Sequence, residues 1–208
     1  MNTHKQKPNL FKPLNSSFFM KVTNLRFRDA EEVFELFRSA QIGRKDLETG
    51  EPSRGFFEYP LSFQDIEDRL RDPRFSFALR DNNGRILSYL LAYPLSSVRG
   101  HDALGQNEDP VIKIARQQSP DFIYADQLFL SPQLPAFIAG RLFDMGDYVV
   151  QGERIPGALT AIPQSPWINR ASTRFALARG FSRDGTVKSG EVELGLFSKP
   201  YWKKGKQI

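Results

Sequence analysis

The chain has 208 residues, 40% of them hydrophobic and 25% charged, which is enough for one compact domain with its own core. It has no cysteine and two histidines, which excludes a disulfide framework, a zinc–thiolate site and a cysteine nucleophile and leaves little for histidine chemistry. The formal charge of +5 gathers partly at the ends, at Lys5, Lys7 and Lys12 and again at Lys199, Lys203, Lys204 and Lys206, in the manner of solvated tails.

Residues 1–17 are polar, carry Pro8 and Pro13, and show no period, so a loose arm is expected. Alternation over 18–23 predicts a strand. Asp29 is expected to cap a helix in which Ala30, Val33, Phe34 and Phe37 keep the i, i+3, i+4, i+7 spacing of a buried stripe. Residues 41–60 hold three Gly and two Pro and read as a loop. Ser62 caps a short second helix with Phe63, Ile66 and Leu70 on one face, which stops before Pro73. Segments 75–80 and 85–94 form a hairpin around Asn83-Gly84, a pair suited to the positive φ angles of a tight turn. Residues 96–120 are punctuated by Gly100, Gly105, Pro110 and Pro120 around one apolar patch at Val111, Ile112 and Ile114. A connection of that length carries a turn of helix or covers a site.

Residues 121–130 predict a strong strand, ended by Ser131-Pro132, and 134–150 a helix with Ile138, Leu142, Met145 and Val149 as its buried stripe. A strand at 158–162, a helix at 167–179 and strands around 181–186 and 191–198 complete the chain, with no internal repeat. The order β-α-α-β-β-β-α-β-α-β-β implies an α/β fold, a mixed and mostly antiparallel central sheet with helices on both faces. A single domain over 18–200 is expected, flanked by the arm and a basic tail at 201–208. Eighteen Phe residues imply a core or ligand cavity lined by aromatics. No apolar run approaches the roughly 20 residues of a membrane span, and the N-terminus lacks a signal-peptide core, so a cytoplasmic location is expected.

The stretch ALTAIPQSPWINRASTRFALARGF at 158–181, with the alternating segment 191–197 behind it, resembles the C-terminal half of the GCN5-related N-acetyltransferase (GNAT) superfamily. Asn169 stands where the family's Asn opens the last helix, and Gly180-Phe181 where Gly-Phe closes it. The order of elements extends the resemblance over roughly 18–199. It implies an acyl-CoA N-acyltransferase-like fold and acetyl coenzyme A as acyl donor. It also implies direct attack by the amine of a small-molecule or peptide acceptor, and, because the family often dimerises, a homodimer. By the same resemblance two central strands part, and Leu128, Phe129 and Leu130 face the pantetheine arm. The following turn, with Ala136, Phe137, Ile138, Ala139 and Gly140, offers a helix N-terminus to the pyrophosphate. Asn169 would bind the cofactor arm, although an N-cap is an equally natural role for it. Asp126 takes the place of an acidic base, and Glu58 and Tyr59 border the acceptor site.

The chain departs from the family in two places. The turn has no Arg or Gln in the expected position, Phe137 is bulky where the family is small, and Pro135 has no N–H. Gly140 takes the last small position in an ungapped register. Shortening the turn by one residue puts Ala139 there and brings Leu142 and Phe143 into phase, which is the preferred register. Ala176 occupies the place where many members carry a proton-donating Tyr; Tyr201 and Tyr148 are substitutes without positional support. Arg170 and Arg174, four apart, face either a phosphate or solvent. Two other classes therefore stay open. One is a domain of this fold that has lost catalysis and serves as a ligand-binding or interaction module. The other is a nucleic-acid-binding protein, with only net charge behind it.

Overall fold

The structure, a computed structural model, describes residues 20–42, 56–57, 61–97, 110–135, 137–166 and 168–201. The elements run β1 (Lys21–Asn24), α1 (Ala30–Ser39), β2 (Gln41–Ile42), β3 (Phe56–Phe57), α2 (Phe63–Arg69), β4 (Phe77–Arg80) and β5 (Ile86–Pro94). They continue with α3 (Pro110–Gln118), β6 (Ile123–Leu130), α4 (Phe137–Gly152), β7 (Gly157–Ser165), α5 (Arg170–Ala178), β8 (Ser182–Ser189) and β9 (Val192–Pro200). Seven strands form one sheet in the order β1-β4-β5-β6-β7-β9-β8, antiparallel at every junction except β6–β7. β2 and β3 pair in parallel as a separate two-stranded ribbon inside the segment expected to be a loop.

Both faces of this sheet are covered, which is why β5 reads as a nearly continuous apolar run rather than an alternation. Its Tyr89, Leu91 and Tyr93 enter the core beneath α1, α2 and α3, with Val33, Ile66 and Ile112. Its Leu90 and Ala92 enter the opposite core beneath α4 and α5, with Leu142 and Ala176. The mixed sheet with helices on both faces is thus the observed architecture.

Local chemistry explains most element ends. Ser62 caps α2 through its hydroxyl, which accepts from the Asp65 N–H, while Asp65 returns a carboxylate oxygen to the Ser62 N–H. In the β4–β5 turn Asp81 Oδ1 accepts from the N–H groups of Asn83 and Arg85, so Gly84 (φ 82°) adopts positive φ and Asn83 does not.

Two expectations are corrected and a third is made specific. Asp29 does not cap α1: its carboxylate turns back to accept from the Arg26 N–H at 2.8 Å and pairs with Arg80 at 2.6 Å, closing a short 3-10 turn instead. The buried stripe of α4 runs through Ile138, Ala139, Leu142, Phe143, Gly146 and Val150, leaving Met145 exposed. Reading only large apolar residues missed Gly146, against which Leu90 packs so closely that a Cβ there would lie 3.0 Å from Leu90 Cδ2. Finally, the segment between β5 and β6 carries α3, whose Val111, Ile112 and Ala115 are buried in the first core together with Val187 of β8. Residues 98–109, most of the remaining part of that segment, lie outside the described residues. Among the described residues no helix is long and apolar enough to cross a membrane.

Candidate active site

The central parallel junction is short. β6 and β7 pair only at Ile123↔Ala158 and Tyr124↔Leu159; beyond these, β6 runs on to Leu130 and β7 to Ser165 without meeting. Gly157 closes the joined end. A Cβ there would lie 2.5 Å from the Phe122 ring and 2.8 Å from the Lys199 carbonyl oxygen, so only glycine lets these strands approach.

The open edge of β6 presents a defined set of backbone groups. Ser131 N–H donates to the Leu87 carbonyl at 3.2 Å, which makes residues 131 and 87 a hydrogen-bonded pair of the β5–β6 ladder. By the alternation of an antiparallel ladder, Phe129 also turns its N–H and C=O toward β5. Leu128 and Leu130 then turn theirs the other way, into the gap. An extended chain bearing amides can add to such an edge, as the pantetheine arm of coenzyme A would.

A bulge sits midway along β6. Leu91 pairs with Gln127 and Ala92 with Ala125, leaving Asp126 as an extra residue. Both Asp126 and Gln127 therefore project to the α1–α2–α3 face. Gln127 Oε1 accepts from the Tyr89 hydroxyl at 2.9 Å, and Tyr89 stacks on Phe129 with centroids 5.4 Å apart. Asp126 Oδ2 accepts from Arg69 Nε at 2.7 Å and from the Tyr93 hydroxyl at 2.8 Å. The Arg69 and Asp126 side chains are only 7% and 14% exposed, so little solvent screens the pair. Burial disfavours the Arg69 charge, but Tyr93 and Asp126 more than offset it and raise its pKa above the ordinary arginine value. Burial pushes the Tyr93 and Tyr89 phenols well up, so both stay neutral.

Connectivity brings two helix N-termini to the parted end: α4 follows β6, and α5 follows β7. At α5 Asn169 is the N-cap, its Oδ1 accepting from Ser172 N–H at 2.9 Å. At α4 the start is less generous. Leu134 N–H donates to Ser131 O, Ile138 N–H donates to Pro135 O, and Pro135 has no N–H. Ile138 is buried in the second core, Ala139 is buried beside it in sequence, and Phe137 is exposed. Gly140 is buried, and the space where its Cβ would stand is taken by the guanidinium of Arg179, whose side chain pairs with Asp144. Ala136 lies outside the described residues, as do Glu58 and Tyr59.

The strand edge fits a pantetheine arm, whereas the turn gives the pyrophosphate little. The two substitute tyrosines are displaced from both. Tyr201 follows the strand end that pairs with Gly157, at the joined end of β6 and β7, and its hydroxyl donates to Asp147, which also pairs with Lys199. Tyr148 stands 76% exposed on α4. Ala176, at the position where a proton donor is common in the family, is buried in the second core.

No family model matches the sequence, and no curated protein matches it either. Solved structures do match. A GNAT-family acetyltransferase from Listeria monocytogenes is 12% identical with a TM-score of 0.55, over 87% of this chain and 94% of that one. The NatC complex bound to Gag peptide and CoA contains a chain 13% identical with a TM-score of 0.60, over 88% and 99%. The polyamine N-acetyltransferase of Drosophila melanogaster is 14% identical with a TM-score of 0.58, over 87% and 99%.

The chain has the GNAT acetyltransferase fold. On that fold the parted strands are β6 and β7, and the residues singled out in the sequence separate into three places. Leu128, Phe129 and Leu130 lie on the open strand, Phe137 to Gly140 on the first turn of α4, and Asn169 at the start of α5. Asp126 lies on the other face of the sheet from the two helices. Arg69, Tyr93, Tyr89 and Gln127, the rest of its network, were not found by sequence reasoning. The one signal was weak: an arginine at the end of a capped helix next to a strand carrying a lone aspartate.

Proposed function

We propose that this protein transfers an acyl group, acetyl in the simplest case, from coenzyme A to the amine of a small-molecule or peptide acceptor, by direct attack within a ternary complex. The observation that carries the reading is the parting of β6 from β7 after Tyr124, which leaves the Leu128 and Leu130 backbone groups on an open edge. Coenzyme A supplies the thioester, an electrophile that the protein need only position. Leu128 and Leu130 hydrogen-bond the donor's amides, with Phe129 held between them by its stack on Tyr89. The macrodipoles of α4, from Phe137 through Ile138, Ala139 and Gly140, and of α5, capped by Asn169, favour the donor's negative charge.

On the acceptor side, Asp126 Oδ2 is held by Arg69 and Tyr93, and Oδ1 has no partner among the described residues. Oδ1 accepts a hydrogen bond from the acceptor's ammonium, directly or through one water, and draws its proton away before attack. Positioning and desolvation supply the remaining rate, as two reactants held in register require. The NatC complex is bound to Gag peptide and CoA, and the Drosophila enzyme is named for polyamines; both support an amine acceptor. We take the cytoplasm as the place of action.

Titration calorimetry with acetyl coenzyme A tests the reading. Saturable binding, with a melting temperature that rises with ligand as RT ln(1 + [L]/Kd), is the expected result. Absence of both at millimolar ligand would sink it. A second reading is favoured by Ala176 and by Arg179 filling the space at Gly140: a module that binds without catalysis. Tight coenzyme A binding with no thiol release across a panel of amines would select that reading.

A further inference from the structure

The turn that leads into α4 gives up part of its amide donors. Those of Leu134 and Ile138 are bonded within the turn, Pro135 has none, and the volume over Gly140 belongs to Arg179. A nucleotide approaching this end gains from side chains that add to the donors the helix start keeps. Phe137, the first residue of α4, is 62% exposed, and the Arg141 guanidinium lies over its ring, 5.8 Å from the centroid. Arg141 is itself exposed one turn further along, and among the described residues no carboxylate pairs with it. An aromatic ring and a cation held together at the start of α4, the helix that follows the open strand, suit a purine carrying a phosphate: the ring stacks on the base, and the fork of donors takes the anion.

We propose that Phe137 and Arg141 form the grip for the adenosine 3′-phosphate end of the donor, in place of a glycine-rich phosphate cradle. Phe137 stacks on the adenine, and Arg141 pairs with the ribose 3′-phosphate. The assignment rests on coenzyme A being the donor. It reinterprets the bulky residue in the turn: Phe137 is the contact itself, and the lost backbone donors are offset by stacking and by a point of positive charge.

Calorimetric titration of the full chain with coenzyme A and with 3′-dephospho-coenzyme A tests it. Phe137→Ala is expected to weaken both ligands about tenfold, and Phe137→Trp to retain wild-type affinity. Arg141→Gln is expected to weaken coenzyme A about tenfold and to leave the dephospho form unchanged. Ligand-free melting temperatures should match wild type in all three variants, because both side chains are exposed. Wild-type affinity for coenzyme A in Phe137→Ala and in Arg141→Gln would overturn the grip while leaving the donor reading intact. Failure of the wild-type chain to bind coenzyme A would overturn both.

Discussion

Asp126 is held in a buried pair whose members cannot be removed singly. Arg69 carries its charge beneath α2 with one carboxylate oxygen on Nε and the Asp65 carbonyl on Nη1 at 2.9 Å. Asp126→Asn keeps the shape and removes the nearer counter-charge, leaving the buried guanidinium only the Asp65 carboxylate at 3.9 Å. The expected loss is about 3 kcal/mol, read as a lower urea midpoint at unchanged m-value. Replacing both, Arg69→Leu with Asp126→Leu, should recover most of that loss, since an apolar pair needs no desolvation. A double variant as unstable as the single one would show that the network, not the isolated charge, holds α2 to the sheet. Asp126 was singled out through the resemblance alone, from its place on the strand where some relatives carry an acidic base. Its partner was not, because Arg69 lies 57 positions away and periodicity carries no information about which helix end meets which strand.

Elements whose ends carry a chemical marker were read correctly, and elements defined by what is missing were not. Ser62 and Asn169 announce α2 and α5 through their caps, and Gly84 and Gly190 mark the two hairpins. α3 was expected only as a turn of helix somewhere in 96–120, because its 9 residues follow a segment broken by glycine and proline, and β7 proved longer than expected because Pro163 is tolerated where the ladder changes register against β9. Two predictions belong at this scale. Asn169→Ala removes the acceptor for Ser172 N–H and should cost about 1 kcal/mol of stability. Coenzyme A affinity of that variant separates the two roles of Asn169. A cap alone leaves affinity unchanged after correction for stability, whereas a ligand contact through Nδ2 lowers it. Gly157→Ala puts a methyl group against Phe122 and the Lys199 carbonyl, with backbone on one side that cannot move aside. It should destabilise by about 2 kcal/mol in chemical denaturation, and a neutral result would mean that the joined end of β6 and β7 is looser than its contacts indicate.

Across the whole molecule the sheet is divided between a joined end, where β6, β7 and β9 meet at Gly157, and a parted end that receives two helix starts. The seven strands of the mixed sheet, in their order, could be read from the sequence, but β2, β3 and the two-residue length of the β6–β7 pairing could not. Only resemblance suggested that those strands part. Tyrosines pin both faces of this frame: Tyr89 and Tyr93 in the first core, and Tyr201 against Asp147 beneath α4. Burial is the first cause of the raised pKa at each, and for Tyr201 the hydrogen bond to Asp147 adds to it. All three therefore keep their protons in the folded chain above pH 10, where an unfolded tyrosine loses its own. Above that pH the unfolded chain binds fewer protons than the native one, so stability, complete below about pH 10, is lost as pH rises. Tyr89 and Tyr93, both fully enclosed, each contribute up to about 1.4 kcal/mol per pH unit to that slope, and the part-exposed Tyr201 less. Denaturant midpoints measured from pH 8 to pH 11.5 should be flat at first and then fall steeply. Tyr89→Phe should remove one proton's share of the fall, because its hydroxyl serves only Gln127. A slope unchanged by that substitution would mean that Tyr89 ionises in the folded chain, and that the core beneath α1 and α2 admits water at high pH.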